Sequence, residues 1–269
     1  MRHILLIGMG AVGRHVARAL QNEANRVRLS ILVRSQYVRD VKARVDEVVP
    51  GEVQVVDRYE KLTDMPELAV ECAGHAAVAE FGEECLTSGA DFLVTSVGAL
   101  TDPLVLQRLE RASRTHMGKL MIPAGAIAGV DALAAARYGG LERVRYTSRK
   151  APEAWKGTPA EQMCNLGALK GPTEFYTGNA GEAARLFPQN ANVAATIALA
   201  GLGFERTEVS LSADPDAPGN VHVIEAEGAF GELRVEIQGR PLADNPKTST
   251  LAALSVLRAI HNRIDAIQI

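Results

Sequence analysis

Short apolar runs alternate with segments of helical spacing through the first half of the chain. Strand-like runs fall at residues 4–7, 29–33, 53–56, 68–72, 92–95 and 120–122, with helical patterns at 12–20, 76–87 and 103–114. Continuous apolar runs read as strands buried on both faces, and the helices between them as crossovers. The pattern therefore predicts a doubly wound parallel α/β sheet over residues 1–125.

The character changes after Gly125. Runs at 141–148, 208–212, 221–227 and 233–237 show partial two-residue alternation and are joined by turn residues such as Asp214-Pro215 and Gly228. An Ala-rich helical segment at 192–202 precedes most of them. Strands clustered in this way predict a second, α+β domain over residues 126–245 with a mostly antiparallel sheet. A last helix over residues 246–269 has Asn245 as its expected cap and Pro246 in its first turn, where no N–H donor is needed. Leu251, Leu254, Leu257, Ile260 and Ile264 form its apolar stripe, which is expected to pack back on the first domain.

Composition narrows the class without naming it. The chain has 269 residues, 47% of them hydrophobic and 23% charged, enough for one large domain or two modest ones. A net charge of −3 with scattered arginines gives no footprint for nucleic acid or an anionic membrane surface. The apolar run at residues 4–7 stops at Gly8, and no stretch approaches the length of a membrane span. Cys72, Cys85 and Cys164 fit neither a zinc pattern nor a disulfide framework, which favours a reducing compartment. The expectation is a cytoplasmic protein with no metal, no nucleic-acid partner and no membrane partner. A homo-oligomer, a dimer, is the expected assembly.

Gly8-Met9-Gly10-Ala11-Val12-Gly13 fits G-x-G-x-x-G between a strand and a helix, the context that a dinucleotide requires. Gly8 permits the tight turn, Gly10 the approach of a diphosphate, and Gly13 close packing of helix on strand. The free N–H groups at Ala11, Val12 and Gly13 favour an anion. This is a Rossmann-type nucleotide site, and NAD or NADP is the expected cofactor. After the second strand, where an acid would bind a ribose 2′-hydroxyl, the chain has Arg34 and Ser35, which suit a 2′-phosphate. NADP is thus expected to be accepted without excluding NAD.

Two further loops follow strands at their carboxyl ends, where open α/β sheets bind ligands. They are Cys72-Ala73-Gly74-His75 and Ile122-Pro123-Ala124-Gly125-Ala126-Ile127-Ala128-Gly129. Oxidation chemistry also needs a proton handler, for which histidine is suited because it titrates near working pH. Of the six histidines, His3 and His15 flank the fingerprint, and His116 and His261 fall in exposed-looking helix ends. His75, beside the coenzyme loop, and His222 remain. His222 shares a strand face with Asn220, Ile224 and Ala226, a polar pair at one end of an apolar face that suits a cleft between domains.

Five stretches stand in register with the fingerprint. They are Val70-Glu71-Cys72-Ala73-Gly74-His75, Gly125-Ala126-Ile127, Phe187-Pro188-Gln189-Asn190-Ala191-Asn192-Val193-Ala194-Ala195, Asn220-Val221-His222 and Asn245-Pro246-Lys247-Thr248-Ser249. In this order and spacing the chain resembles the L-aspartate dehydrogenase family over essentially its whole length. The resemblance implies NAD(P)-dependent oxidation of L-aspartate to iminoaspartate, which hydrolyses to oxaloacetate and ammonia or feeds pyridine nucleotide biosynthesis. It further implies that His222 is catalytic, that Ala126 binds the nicotinamide through its backbone amide, and that Asn192 contacts the cofactor through its side chain. Cys72 and Ala73 join the cofactor set. His75, Asn220, Lys247, Thr248 and Ser249 are substrate candidates, the last three because a helix's first turn favours the carboxylates of a dicarboxylate.

Rival readings share the same architecture, since fold does not fix function. One is a reductase or dehydrogenase of another small acid, resembling dihydrodipicolinate reductase or homoserine dehydrogenase. The other is a non-catalytic NADPH-binding redox sensor, which leaves His222 and the Asn245–Ser249 segment without a purpose.

Overall fold

A computed structural model describes residues 1–48, 53–188, 191–242 and 245–269. The chain divides into two compact units, Met1–Pro123 with Ala252–Ile269, and Ala124–Leu251.

The first unit is built on six parallel strands, β1 (Arg2–Ile7), β2 (Val27–Leu32), β3 (Gln54–Val56), β4 (Leu68–Glu71), β5 (Asp91–Val94) and β6 (Leu120–Met121). Their order is β3-β2-β1-β4-β5-β6, so the winding reverses between β1 and β4. Loops leaving those two strands flank the crevice in which doubly wound sheets bind ligands. Helices α1 (Ala11–Ala19), α2 (Val38–Val48), α3 (His75–Thr87) and α4 (Pro103–Thr115) make the crossovers. The start of α4 is written locally: Pro103 fills its first position, and the Asp102 carboxylate accepts from Leu104 N at 2.9 Å.

Helix α2 has no counterpart in the sequence expectation. Its apolar residues Val38, Val41 and Val45 are diluted by Arg39, Asp40, Lys42 and Arg44, yet at helical spacing they pack beneath Ile31, Val33 and Val55.

The second unit carries β7 (Leu141–Lys150), β8 (Thr173–Asn179), β9 (Thr207–Ala213), β10 (Asn220–Gly228) and β11 (Gly231–Gly239), in the order β11-β10-β7-β9-β8. The β7–β9 pair is parallel and the other pairs are antiparallel. Strand β8 was not anticipated; it lies at the sheet edge, only partly buried, where Thr-Glu-Phe-Tyr-Thr-Gly-Asn needs no apolar run.

One face of this sheet is solvated by an ion-pair ladder that includes Arg145–Glu208 and Arg234–Glu225. The other face holds the core, where Val144, Tyr146, Val209, Leu211, Ile224 and Ala226 meet four helices. These are α5 (Val130–Ala136), α6 (Ala160–Met163), α7 (Ala180–Leu186) and α8 (Ala191–Ala200).

A short antiparallel pair, β12 (Pro241–Leu242) with β13 (Asn245–Ser249), precedes the last helix, α9 (Thr250–Ile264). The expected helix start at Asn245–Pro246 is therefore corrected. Asn245 pairs with Leu242 across the ladder, and its side-chain amide donates to Thr248 Oγ1 at 3.0 Å. The ladder captures these residues before a helix can begin. The apolar stripe packs on the first unit as expected at Leu257, Ile260 and Ile264, which meet Ile4, Leu6, Val16 and Val70. Leu254, however, is 46% exposed, and Val256 and Ala259 are buried there as well.

Candidate functional site

The nucleotide end is shaped by its glycines. Gly8 leaves β1 at φ +99°, and a Cβ there would fall 2.7 Å from the Cβ of Ala73. A Cβ on Gly13 would collide with the carbonyl oxygen of Gly8. Gly10 differs, because a Cβ there would meet only Cys72 O, at 3.8 Å, so one side of its backbone stays open. The first backbone bond of α1 runs from Arg14 N to Gly10 O, and no acid stands in the first turn. The N–H groups of Ala11, Val12 and Gly13 are thus not used by the helix. An open backbone flank beside unused donors fits a dinucleotide diphosphate.

The loop packed on this turn is held by a residue to which sequence reasoning gave no role. Glu71, at the end of β4, is 0% exposed. Its Oε1 accepts from Ala73 N and Gly74 N at 2.7 Å and from Ser96 Oγ at 3.0 Å, while Oε2 accepts from Ser96 N at 2.9 Å. A buried carboxylate is tolerated when donors surround it in this way. It fixes Cys72–Gly74 against the fingerprint, and Cys72 N extends the pairing to Ile7 O at 2.8 Å. Burial, reinforced by the Glu71 charge, pushes the Cys72 thiol well above its ordinary pKa, so it is a packing residue and not a nucleophile. His75 begins α3 and is exposed.

At the other end of the nucleotide site Arg34 is exposed, its guanidinium 5.1 Å from the centre of the Tyr37 ring. Ser35 is already engaged: its hydroxyl donates to Asp57 Oδ2 at 2.9 Å. Asp57 also accepts from Lys61 Nζ at 2.7 Å, and these two donors, Lys61 foremost, lower its pKa. An acid does stand here, contributed by the residue after β3 instead of the end of β2.

The second unit gathers a different set. Along β7, Val144, Tyr146, Ser148 and Lys150 alternate onto the core face, and His222 of β10 pairs in register with Ser148. The apolar face thereby turns polar at one end. Tyr146 Oη lies 2.8 Å from His222 Nδ1, and both side chains are buried. Burial, with the Lys150 charge as a second cause, pulls the His222 pKa down to about 3. The imidazole is neutral at working pH, which corrects the expectation that it titrates there. Burial raises the Tyr146 phenol, which stays protonated. Ser148 lies beside that phenol, yet among the described residues its buried hydroxyl has no partner with hydrogen-bond geometry. Lys150 sits with Nζ 5.2 Å from the centre of the Trp155 ring, and burial lowers its pKa to about 8.

Tyr146, Ser148 and Lys150 were missed although a signal was present. The two-residue alternation that starts at Val144 runs on through Lys150, beyond the expected strand end at residue 148.

Asn220, half-buried at the start of β10, lies two residues from His222. Its strand end meets β13 at Gly239, where an added Cβ would lie 3.4 Å from Ser249 Oγ and 3.5 Å from Asn220 O. Ser249 is buried, and its hydroxyl has no hydrogen-bond partner among the described residues. Thr248 accepts from Asn245 and, like Lys247, lies in β13 instead of a helical first turn. The side chain of Lys247 falls outside the described residues, as do Gln189 and Asn190. Ala126 is half-buried in the loop between Gly125 and Gly129, both at positive φ. Asn192 is exposed on α8, whose Ala194 and Ile197 pack in the core that holds Tyr146.

Among the described residues no helix is long and apolar enough to cross a membrane, and no cluster of three His, Cys, Asp or Glu could hold a metal ion.

Comparison with known proteins agrees with both halves of this description. Residues 131–263 match the family described as aspartate dehydrogenase, C-terminal, and residues 8–123 match that described as homoserine dehydrogenase, NAD binding domain. An L-aspartate dehydrogenase of Ralstonia nicotianae is 46% identical over 269 residues, covering 100% of each chain. Another, of Serratia proteamaculans, is 46% identical and covers 98% of each. The crystal structure of aspartate dehydrogenase from Thermotoga maritima superposes with a TM-score of 0.76 at 26% identity, covering 100% of this chain and 99% of that one.

Proposed function

Because the chain belongs to the L-aspartate dehydrogenase family, we propose that it oxidises L-aspartate to iminoaspartate with NAD or NADP as hydride acceptor. The observation that carries this reading is the polar end of the second unit's core face. There a neutral imidazole, a phenol, a buried hydroxyl and a lysine converge on adjacent strands.

The bound coenzyme supplies the hydride acceptor at nicotinamide C4. The protein's own part begins at the first turn of α1, whose N–H groups hold the diphosphate. Glu71 keeps the Cys72–Gly74 loop in the shape that Gly8 and Gly13 require. Ala126, through its amide, and Asn192, through its side chain, orient the nicotinamide. Arg34 meets the adenosine ribose and accommodates a 2′-phosphate.

His222 is the catalytic residue of this reading. With Nδ1 committed to Tyr146, Nε2 is the ring atom that meets the substrate. Asn220, Lys247, Thr248 and Ser249 receive the substrate carboxylates, supported by the unpartnered Ser249 hydroxyl where β13 meets the Asn220 strand end. His75 stays with the coenzyme loop. The iminoaspartate hydrolyses to oxaloacetate and ammonia or enters pyridine nucleotide biosynthesis. The enzyme works in the cytoplasm as a homo-oligomer, a dimer in the simplest case, in keeping with its three free cysteines.

Substrate profiling tests the assignment. Purified protein should reduce NAD⁺ or NADP⁺ with L-aspartate and run in reverse with oxaloacetate plus ammonia, leaving homoserine untouched. Preference for homoserine would reassign the substrate.

A further inference from the structure

We propose that Lys150 is the group that takes the proton released by the substrate amine, next to the imidazole of His222. The inference rests on the aspartate-oxidising reading and divides the labour at that site.

The reaction itself demands an acceptor. The ammonium group of L-aspartate must lose one N–H proton before the lone pair on nitrogen can drive hydride departure from Cα. In the first step Lys150 Nζ, as a neutral amine, forms a bond to that proton and becomes an ammonium. In the second the Cα–H bond breaks, the hydride goes to the nicotinamide, and the nitrogen lone pair forms the C=N bond of the protonated imine. The two electrons lost by the substrate are those gained by the coenzyme, and the single proton rests on lysine until solvent removes it.

Geometry places Lys150 for this task. It ends the row Tyr146, Ser148, Lys150 on the core face of β7, and His222 stands on the adjoining strand in register with Ser148. The Lys150 charge is felt at His222, where, after burial, it disfavours the protonated ring. The Trp155 ring lies against the ammonium on one side. On the neighbouring strand Lys150 pairs with Ala213, and the following carboxylate, Asp214, accepts from Arg149 at 3.0 Å and from Asp216 N at 3.0 Å. Among the described residues, the titratable and charged groups on the elements packed about Lys150 include His222, Tyr146, Arg149 and Asp214.

Basicity separates the two candidates. His222, held near 3, is too weak a base to draw a proton from an ammonium group at working pH. A lysine lowered to about 8 is half-deprotonated just above neutrality, close to the optimum for a group that must give and take protons. A neutral His222 is left to orient the substrate through Nε2.

The test uses the full-length protein and four readouts. Wild-type kcat/KM for aspartate should rise with pH through a limb near 8 and level off above it, since the neutral amine is the active form. Lys150→Met should lower kcat/KM by about 10²–10⁴, abolish that limb, and recover with added ethylamine. Lys150→Arg should stay impaired, because a guanidinium keeps its proton. In wild-type protein without coenzyme, ¹³C NMR of the lysine ε-carbons should show one residue titrating near 8 that Lys150→Met removes. NADPH binding by fluorescence should survive in both variants, which checks the fold.

Recovery by Arg with only KM affected would overturn the proposal and make Lys150 a carboxylate clamp. A titration midpoint above 10 would overturn it as well. A wild-type protein inactive with aspartate would instead overturn the activity on which this role depends, an outcome read before any variant is made.

Discussion

The phenol oxygen of Tyr146 lies 2.8 Å from Nδ1 of His222, joining neighbouring strands by a buried side-chain bond. Burial keeps the phenol protonated and the imidazole neutral. With the phenol as donor, Nδ1 accepts and the ring carries its own proton on Nε2, the tautomer that this account requires. Tyr146→Phe should therefore leave Nδ1 buried and unpaired, costing roughly 1–3 kcal/mol of stability. With the tautomer released, kcat/KM should fall by about tenfold while NADPH affinity holds, a loss of roughly 1.4 kcal/mol in transition-state binding. Imidazole ¹⁵N NMR should find the proton on Nε2 in the wild type; finding it on Nδ1 there would contradict the assignment.

The same imidazole makes stability depend on pH. Its folded pKa, about 3, lies below the ordinary 6.5, so the unfolded chain binds more protons between those values. Stability from this residue is complete above pH 6.5 and is lost as pH falls toward 3, at about 1.4 kcal/mol per pH unit. Urea unfolding at pH 7, 6 and 5 should show a steeper loss for wild type than for His222→Gln. Parallel curves would mean that the ring is solvated.

Glu71 carries the third prediction. Replacing its carboxylate by the amide of Glu71→Gln turns an amino group toward N–H donors of Ala73, Gly74 or Ser96. Stability should fall by roughly 2–4 kcal/mol, as expected when a buried hydrogen-bonded charge is lost. The freed loop should weaken NADPH binding more than it slows turnover at saturating coenzyme. Unchanged unfolding and unchanged NADPH titration would show that the loop holds its shape without the carboxylate.

How much of this was legible in the sequence follows from what each feature depends on. The parallel sheet and its fingerprint were readable because buried strands and glycine spacing are local signals. Helix α2 was not, since Val38, Val41 and Val45 are outnumbered by charges and gain meaning only against Ile31 and Val55. The start of α9 was misread because Asn245-Pro246 is good capping chemistry locally, and only pairing with Leu242 tells otherwise. The strand face kept His222 in contention beside His75, and the family resemblance singled it out. Its neutrality and its bond to Tyr146, 76 residues away in the chain, depend on strand register that the sequence does not display.

The proposed reading makes coenzyme choice turn on Arg34. Arg34 is exposed beside Tyr37, and Ser35 is held by Asp57, so of the two residues proposed to meet a ribose 2′-phosphate the arginine carries the reading. Arg34→Asp should raise KM for NADP⁺ far more than for NAD⁺, since it replaces a charge-assisted contact by repulsion. Steady-state kinetics with both coenzymes decides this, and equal loss for both would remove Arg34 from phosphate recognition.

The most direct test of the account is aspartate-dependent NADPH formation by the wild type, His222→Ala and His75→Ala, with NADPH affinity followed by fluorescence. His222→Ala should lose roughly 10²–10⁴ in kcat/KM and still bind NADPH, whereas His75→Ala should act mainly on coenzyme KM. Near-normal turnover in His222→Ala together with loss in His75→Ala would contradict the account and move the chemistry to the coenzyme loop.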